Sequence, residues 1–287
     1  MNINWFPGHM KKALDQIQAQ MGQVDLSLEI VDGRIPEASR NLLLEEVTQG
    51  KPRLLILNKK DLADASVTRD WVAYYQKSGG AALALEARAG ANPRMIYDQA
   101  QRLCQDTLLR RQKKGIRDRT LRMMVFGIPN SGKSTLINRL AGRKAAQTGD
   151  RPGVTRANQW IKTTSDLLLL DTPGIMMKKL TPRQGLYLSW TGAIKEEILN
   201  LQEVGYALLQ LLLVHYEPAL IERYQLPPGL DALGAMDVIA QKIGALEQGE
   251  IAYDRVAIRL LDDFQKGRLG RISLERVEEL HEAGSLE

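Results

Sequence analysis

The sequence contains very little cysteine and no long hydrophobic run. Its single cysteine, Cys104, excludes both a disulfide framework and a zinc site built from cysteines, and we expect it to be a small apolar residue on a helix. The longest apolar segment, 206–216, is too short to span a bilayer, and the basic N-terminus is unlike a secretory signal. We therefore expect a cytoplasmic protein without a membrane partner.

Disordered and fibrous classes are excluded by composition, because 44% of the residues are hydrophobic, 25% are charged and no low-complexity tract is present. The length of 287 residues suits two ordinary domains. Net charge is +5, and residues 102–122 hold eight basic and two acidic residues. This cluster suits a polyanionic partner, although a solvated helix face would show the same charge pattern.

Short apolar runs alternate with helical patterns in the first part of the chain, and one helical pattern, at 97–114, leads into the basic cluster. The runs predict buried parallel strands at 24–31, 53–57, 121–126 and 166–171. Such alternation predicts an α/β fold with a doubly wound, mainly parallel sheet. Strand patterns stop after about residue 180 and amphipathic helices follow, the first with an apolar stripe formed by Ile198, Leu201, Val204, Leu208 and Leu211. We expect one domain at 1–180 and an all-helical domain at 181–287.

A phosphate-binding loop is indicated by "GIPNSGKS" at 127–134, which lies between an apolar strand and an apolar-periodic helix. Its glycines let backbone N–H groups point at phosphates, and the following helix adds the positive end of its dipole. Lys133 is predicted to reach the β- and γ-phosphates and Ser134 to bind Mg²⁺. The predicted nucleotide-binding residues of this segment are Asn130, Ser131, Gly132, Lys133, Ser134 and Thr135.

The rest of the predicted magnesium site follows the loop. Asp171 ends the apolar run of "LLLLDTPG" and would be a second Mg²⁺ ligand, while the N–H of Gly174 could approach the γ-phosphate. Thr155, in "GDRPGVTR", could join the Mg²⁺ shell only while the γ-phosphate is present. The alternatives are a solvated acid at a strand end for Asp171 and an ordinary polar loop for Thr155.

Guanine selectivity is indicated by "NKKD" at 58–61, which follows the apolar "LLIL". The carboxylate of Asp61 can accept from both N1–H and N2–H₂ of guanine, a donor pair that adenine lacks. Asn58 would tie loops together, and Lys59 would lay its aliphatic stem along the base. Segment 82–93 loosely fits a second guanine loop, with Glu86 where serine is usual and with the Ala87 N–H available for guanine O6.

The guanine motif precedes the phosphate-binding loop, which is the reverse of the order in ordinary GTP-binding domains. Either one match is accidental or the chain is circularly permuted, in which case the basic segment 97–120 joins the original termini. The sequence resembles the circularly permuted GTPases, specifically the ribosome biogenesis GTPase A (RbgA/YlqF) family. The resemblance lies in "WFPGHM", "VDGRIP", "NKKD", "GIPNSGKS", "PGVT", "DTPG" and "FQKGRLGRISLE", with "VDGRIP" departing from the usual Asp-Ala-Arg.

This resemblance implies a GTPase that binds the precursor of the large (50S) ribosomal subunit, promotes a late maturation step and is released upon hydrolysis. It implies slow turnover that the subunit stimulates, and we expect a monomer. The alternative is a nucleotide-dependent binding module in which hydrolysis is incidental; a GTPase acting on tRNA or membranes is a third possibility. RNA contacts are expected from the 102–122 cluster and from Arg255, Arg259, Lys266, Arg268 and Arg271.

Hydrolysis needs a group that positions water, and the usual glutamine after the aspartate motif is replaced here by Ile175-Met176-Met177. The family resemblance points to His9 as the catalytic residue, the alternative being a polar residue at the start of the first helix. Asn130 resembles the asparagine that coordinates K⁺ in cation-activated GTPases, where the cation would neutralise charge between the phosphates.

Overall fold

The computed structural model describes residues 8–89, 92–146, 159–177 and 179–283, with the side chains of 8–13 and 281–283 outside the description. These residues form two compact units. The first contains residues up to 180 together with 275–283, and the second contains 181–274. The chain leaves the first unit after residue 180 and returns to it at residue 275.

A mainly parallel sheet forms the centre of the first unit. Its strands are β1 (Leu26–Asp32), β2 (Arg53–Asn58), β3 (Ala81–Ala84), β4 (Leu121–Gly127), β5 (Gln159–Lys162) and β6 (Leu167–Asp171). They lie in the order β3-β2-β1-β4-β6-β5, with only the edge strand β5 antiparallel to its neighbour. The predicted doubly wound sheet is therefore confirmed.

The direction of the strand order changes between β1 and β4, and ligands of doubly wound sheets bind in the crevice at such a point. Strand register aligns the carboxyl ends there: Asp32 pairs with Asn58, Ile30 with Gly127 and Val125 with Asp171. Parallel pairing thus places segments that are distant in sequence at one edge of the sheet.

Helices surround the sheet, and most of them bury an apolar face. They are α1 (Gly8–Gln20), α2 (Leu42–Val47), α3 (Ala65–Lys77), α4 (Pro93–Leu103), α5 (Gln105–Lys113) and α6 (Lys133–Ala141). One core cluster joins strand residues such as Ile30 and Val125 to Ile96 of α4 and Leu136 of α6. A second cluster packs Trp71 of α3 against Val31 and Leu57.

The second unit is a set of helices with one small hairpin. Its helices are α7 (Pro182–Trp190), α8 (Leu201–His215), α9 (Glu217–Tyr224), α10 (Ala232–Ile243) and α11 (Tyr253–Gln265), and strands β7 (Leu246–Glu247) and β8 (Glu250–Ile251) connect the last two. Within the described residues no helix alone has the length and apolar composition of a membrane span. Helices α8 and α9 meet that criterion only as a pair, and they are bent by 113° at their junction.

The segment after residue 274, which we call the return segment (275–283), packs on the first unit and ends in α12 (Glu278–Ala283). The carboxylate of Glu275 accepts from the N–H groups of Glu37 and Ala38 at 2.8 and 3.0 Å. Its carbonyl accepts from Trp71 Nε1 at 3.1 Å. Because these bonds hold backbone groups of the loop after β1, the return segment is part of the first unit's own structure.

Candidate nucleotide-binding site

The loop between β4 and α6 is shaped by residues that tolerate close approach and left-handed backbone. A Cβ at Gly127 would lie 2.5 Å from the carbonyl oxygen of Ile30, and one at Gly132 would overlap Asn58 Nδ2. Gly132 has φ 93° and Asn130 has φ 60°, values that favour glycine and asparagine. Helix α6 begins at Lys133 without a side-chain cap, so its first N–H groups are left for a ligand such as phosphate.

Lys133 and Asp171 form a buried ion pair that joins the start of α6 to the end of β6. Burial lowers the pKa of the Lys133 ammonium, and the neighbouring Asp171 carboxylate opposes this shift. The predicted phosphate-binding lysine and the predicted metal-binding aspartate are thus brought together. Ser131 is buried beside them, and its Oγ has no hydrogen-bond partner among the described residues, as expected for a loop that completes its polar contacts with a ligand.

The donor chemistry at this position suits magnesium. Ser134 lies half-buried in the first turn of α6, and the Asp171 carboxylate lies at the adjacent strand end. Mg²⁺ is commonly held by one or two protein oxygens together with phosphate oxygens and water, rather than by a cage of side chains. No cluster of three or more His, Cys, Asp or Glu residues that could hold a metal occurs in the described part of the chain.

The segment after Asp171 lies against the phosphate-binding loop. Thr172 is buried and donates its hydroxyl to the carbonyl of Val125 at 2.9 Å. A Cβ at Gly174 would come within 3.3 Å of Pro129 N, so the predicted γ-phosphate contact lies beside that loop. The carbonyl of Ile175 accepts from Asn41 Nδ2 at 2.6 Å, and this bond fixes the segment to the N-terminal cap of α2.

Asn58 connects the predicted guanine loops to the phosphate-binding loop. Its side chain is 2% exposed, and its Nδ2 donates to the Ser131 carbonyl at 2.7 Å while its Oδ1 accepts from the Ala87 N–H at 2.9 Å. Three loops from different parts of the sequence are therefore joined through one amide. This geometry agrees with the predicted role of Asn58 in tying the loops.

The Ala87 N–H, which is predicted to meet guanine O6, donates here to Asn58 Oδ1. Its contact with guanine therefore stays a prediction. The next N–H, that of Arg88, forms no backbone hydrogen bond within the described residues and is a second donor available near the base. Glu86 lies half-buried before this pair.

The remaining guanine residues lie at the end of β2. Lys59 has a left-handed backbone, with φ 60°, and its Nζ lies 2.9 Å from Asp32 Oδ2. The half-buried Asp61 carboxylate forms no ion pair or hydrogen bond with other described residues, which leaves it available for a base. Asp32 was missed by the sequence prediction, although its position at the end of an apolar strand is the same signal that identified Asp171.

Two predicted site residues lie outside the part of the structure that is described. His9 belongs to α1, but its side chain is outside the description, and Thr155 falls within 147–158, which is also outside. Thr135 lies half-buried in the first turn of α6. The proposed K⁺ contact of Asn130 and the catalytic role of His9 stay predictions.

The phosphate-binding and guanine-binding segments meet at one edge of this sheet, although their order in the sequence is inverted. This arrangement defines a circularly permuted GTPase. A family model described as "50S ribosome-binding GTPase" matches residues 122–220. The chain is 43% identical to ribosome biogenesis GTPase A of Priestia megaterium over 279 residues, covering 96% of this chain and 97% of that protein. It is also 43% identical to the Bacillus cereus protein of that name over 285 residues, covering 98% and 96%. The chain belongs to the ribosome biogenesis GTPase A family.

Solved structures agree on the fold. The GNP-bound YlqF from T. maritima aligns with 92% of this chain and 98% of its own, with a TM-score of 0.60 and 24% identity. A GDP-bound structure of TM YlqF aligns with a TM-score of 0.62, also at 24% identity, covering 92% and 99% of the two chains. The solved structures confirm the fold, and the relatives of 43% identity confirm the family resemblance and the GTPase class.

Proposed function

We propose that this GTPase is an assembly factor that binds the precursor of the large ribosomal subunit, promotes a late maturation step and is released when GTP is hydrolysed. The observation that carries the GTP-dependent part is the pair of hydrogen bonds from Asn58, which joins the guanine loop to the phosphate-binding loop. Family membership supports the ribosomal part, because the relatives are named for ribosome biogenesis.

The site can hold GTP along its length. The Lys133 ammonium would exchange its contact with Asp171 for phosphate oxygens, and the N–H groups at the start of α6 would bind the same phosphates. Ser134 and Asp171 would hold Mg²⁺, which supplies charge neutralisation between the phosphates. At the other end Asp61 would accept from guanine N1–H and N2–H₂, and the N–H of Arg88 would donate to O6.

Hydrolysis requires a residue from outside the segment that follows Asp171. The side chains of Ile175, Met176 and Met177 are apolar and buried, so they cannot orient water. We therefore retain His9 as the proposed water-positioning residue and Thr155 as a Mg²⁺ ligand in the GTP state. Asn130, with its left-handed backbone in the phosphate-binding loop, is the proposed K⁺ contact.

Contact with ribosomal RNA is proposed for the basic segment that joins the permuted halves. The guanidinium of Arg111 is held by Asp25 at 2.7 Å, but the other seven basic residues of the cluster have no ion pair with any described carboxylate. These are Arg102, Arg110, Lys113, Lys114, Arg117, Arg119 and Arg122. A cavity of about 730 Å³ lies among three of them, with Leu109 and Ile116 in its lining. Cationic groups around an apolar surface suit a nucleotide unit of RNA.

The helical unit offers fewer unpaired charges than its sequence suggests. Arg259 and Arg268 both contact the buried Asp263, at 3.2 and 2.8 Å, and Lys266 pairs with Asp262 at 2.5 Å. Only Arg255 and Arg271, of the five basic residues expected to contact RNA there, have no ion pair with the described carboxylates. The RNA-binding role of this unit therefore rests mainly on those two side chains and on the outward ends of the paired arginines.

The proposal is tested by the rate of GTP hydrolysis with and without purified large-subunit precursors, in K⁺ and in Na⁺. Stimulation by the precursor supports the assembly-factor function, and faster turnover in K⁺ supports the role of Asn130. Substitution His9→Ala separates the two candidate functions. An assembly factor that must hydrolyse GTP would remain bound to the precursor, whereas a binding module would support maturation normally without turnover.

A further inference from the structure

We propose that Asp32 is a positioning residue for guanine recognition, which fixes the side chain of Lys59 before the nucleotide binds. The motif that contains it, "VDGRIP", has no role in the function proposed above. The inference rests on GTP binding at the site described, and it concerns how this chain prepares the lysine of "NKKD".

Asp32 lies at the end of β1, directly beside Asn58 of β2 in the strand register, and is 2% exposed. Its Oδ1 accepts from the Arg34 backbone N–H at 3.1 Å and from Arg34 Nε at 2.9 Å. Its Oδ2 accepts from Arg34 Nη2 at 2.8 Å and lies 2.9 Å from Lys59 Nζ. The carboxylate is therefore oriented by a bidentate arginine so that one oxygen faces the lysine.

The charges support the same arrangement. Burial alone would raise the pKa of Asp32, but the Arg34 guanidinium and the Lys59 ammonium hold it well below its usual range. Burial lowers the pKa of Lys59, and the Asp32 carboxylate opposes that shift. Arg34 is 1% exposed, so its guanidinium also needs the Asp32 carboxylate as a partner in the interior. The pairing keeps all three groups charged in the interior.

The backbone fixes the other end of the lysine. Lys59 has φ 60°, and the residue before it, Asn58, is held by the N–H of Gly33, which donates to the Asn58 carbonyl at 2.7 Å. A Cβ at position 33 would lie 2.8 Å from that carbonyl oxygen, so glycine permits this close approach. With Cα and Nζ both held, the four methylenes of Lys59 form a fixed apolar surface.

A fixed stem strengthens binding because the rotamer freedom of the lysine is already lost when the base arrives. Ordering one free lysine side chain corresponds to roughly 10- to 30-fold in a dissociation constant. Asp32 would thus increase the affinity for any purine nucleotide whose base lies on the stem. It would leave the discrimination between purines to Asp61.

The test leaves neither the Asp32 carboxylate nor the Arg34 guanidinium buried alone, and only the Lys59 ammonium, whose side chain is 22% exposed, loses its partner. Arg34→Met keeps the contact between Asp32 and Lys59, whereas Asp32→Asn combined with Arg34→Met removes that contact and the arginine charge together. We expect the dissociation constants of GDP, GTP and ITP to rise about 10- to 30-fold from the first variant to the second, all by the same factor. Competition with a fluorescent guanine nucleotide measures them, and thermal unfolding without nucleotide confirms that both variants fold.

A double-mutant cycle separates positioning from a structural role. In the Lys59→Met background, introducing Asp32→Asn and Arg34→Met together should change GDP affinity by less than about 2-fold, because methionine has no ammonium group for Asp32 to hold. Neither protein of this pair contains an unpaired buried charge. An equal loss of affinity with and without the lysine would overturn the proposal. If the doubly substituted protein does not fold, Lys59→Met alone decides, since it leaves Asp32 paired with Arg34; unchanged GDP affinity there also overturns it.

The failure of this inference is distinguishable from failure of the proposed function. A protein whose GTP hydrolysis responds to the large-subunit precursor, but whose Asp32 variants bind GDP normally, would refute the positioning role alone. Loss of the precursor response with an intact coupling between Asp32 and Lys59 would refute only the assembly function.

Discussion

Removal of the Asn58 amide tests whether one side chain holds the nucleotide site together. Asn58→Ala deletes the bonds to the Ser131 carbonyl and from the Ala87 N–H, whose lengths are 2.7 and 2.9 Å. Ser131 and Ala87 are both buried, so water cannot readily replace the lost partner. Each backbone group left unpaired costs about 1–3 kcal/mol, which gives about 2–6 kcal/mol for the pair.

Part of this energy should appear in nucleotide binding, because GDP would have to reassemble loops that the amide now holds in place. If about 2–4 kcal/mol is transferred to the binding step, the dissociation constant rises roughly 30- to 1,000-fold. Titration with a fluorescent guanine nucleotide measures this change, and urea unfolding of the nucleotide-free protein measures stability.

Asn138 provides the matched control. It lies on α6 and makes three hydrogen bonds to backbone groups of residues 145 and 146, at 2.6 to 2.8 Å, none of them to a guanine loop. Asn138→Ala should lower stability to a similar extent but change GDP affinity less than about 3-fold. If Asn58→Ala lowers stability without weakening GDP binding, or if both variants weaken it equally, the bridging role is refuted.

Four further outcomes are expected. Asp61→Asn should weaken GTP binding roughly 10²- to 10⁴-fold and improve XTP binding, since an amide can donate to the xanthine 2-oxygen; a uniform loss for both nucleotides in competition assays would contradict this role. Gly132→Ala should weaken GDP binding by more than about 10-fold, because the methyl group strains a φ of 93° and overlaps Asn58 Nδ2; normal binding would exclude that geometry. Truncation after residue 274 should lower the unfolding free energy by about 2–4 kcal/mol in urea, through loss of the Glu275 bonds and of Val277 and Leu280 from the Trp71 cluster, and an unchanged midpoint would show that the return segment is dispensable. Burial raises the pKa of the Cys104 thiol to about 11, so at pH 8 roughly one molecule in a thousand carries the thiolate and alkylation should be slow until urea exposes it; rapid labelling of the folded protein would contradict the burial.

The sequence predicted the central strands well because each is buried on both faces and is therefore a continuous apolar run. It did not predict β3 (Ala81–Ala84) or β5 (Gln159–Lys162), the two edge strands. Alanine has little preference for strands, and β5 is largely exposed, so pairing with the neighbouring strand decides both conformations. The conformation of an edge strand therefore depends on tertiary contacts, which the hydrophobic pattern of the local sequence does not reveal.

Helix limits were predicted less accurately for similar reasons. The helical pattern at 97–114 is two helices, interrupted at Cys104 with φ −103° and ψ 18°. In the second unit α8 begins at Leu201, so Ile198, which was expected on its apolar stripe, belongs to a preceding 3₁₀ turn and is exposed. The buried stripe contains the expected Val204 and Leu208 together with Leu212.

Within the site, residues in contiguous motifs could be recognised, whereas contacts between motifs could not. Asp61, Lys133 and Asp171 follow from spacing and chemistry alone. The partnership of Asp32 with Lys59 depends on the register of β1 with β2, which places their ends side by side. The competition between Asn58 and guanine for the Ala87 N–H likewise becomes visible only when the loops are brought together.

The return of the chain to the first unit at residue 275 makes the helical unit an insertion rather than an appendage. An appended module is connected to the rest of the chain by one covalent crossing and can reorient about it at little cost in free energy. An inserted module has two crossings, here at residues 180–181 and at residues 274–275, where Glu275 is held by the loop after β1. The shorter crossing limits how far such a module can move. Lengthening a single crossing with a flexible linker would therefore give it little extra freedom, and both would have to be lengthened to release it.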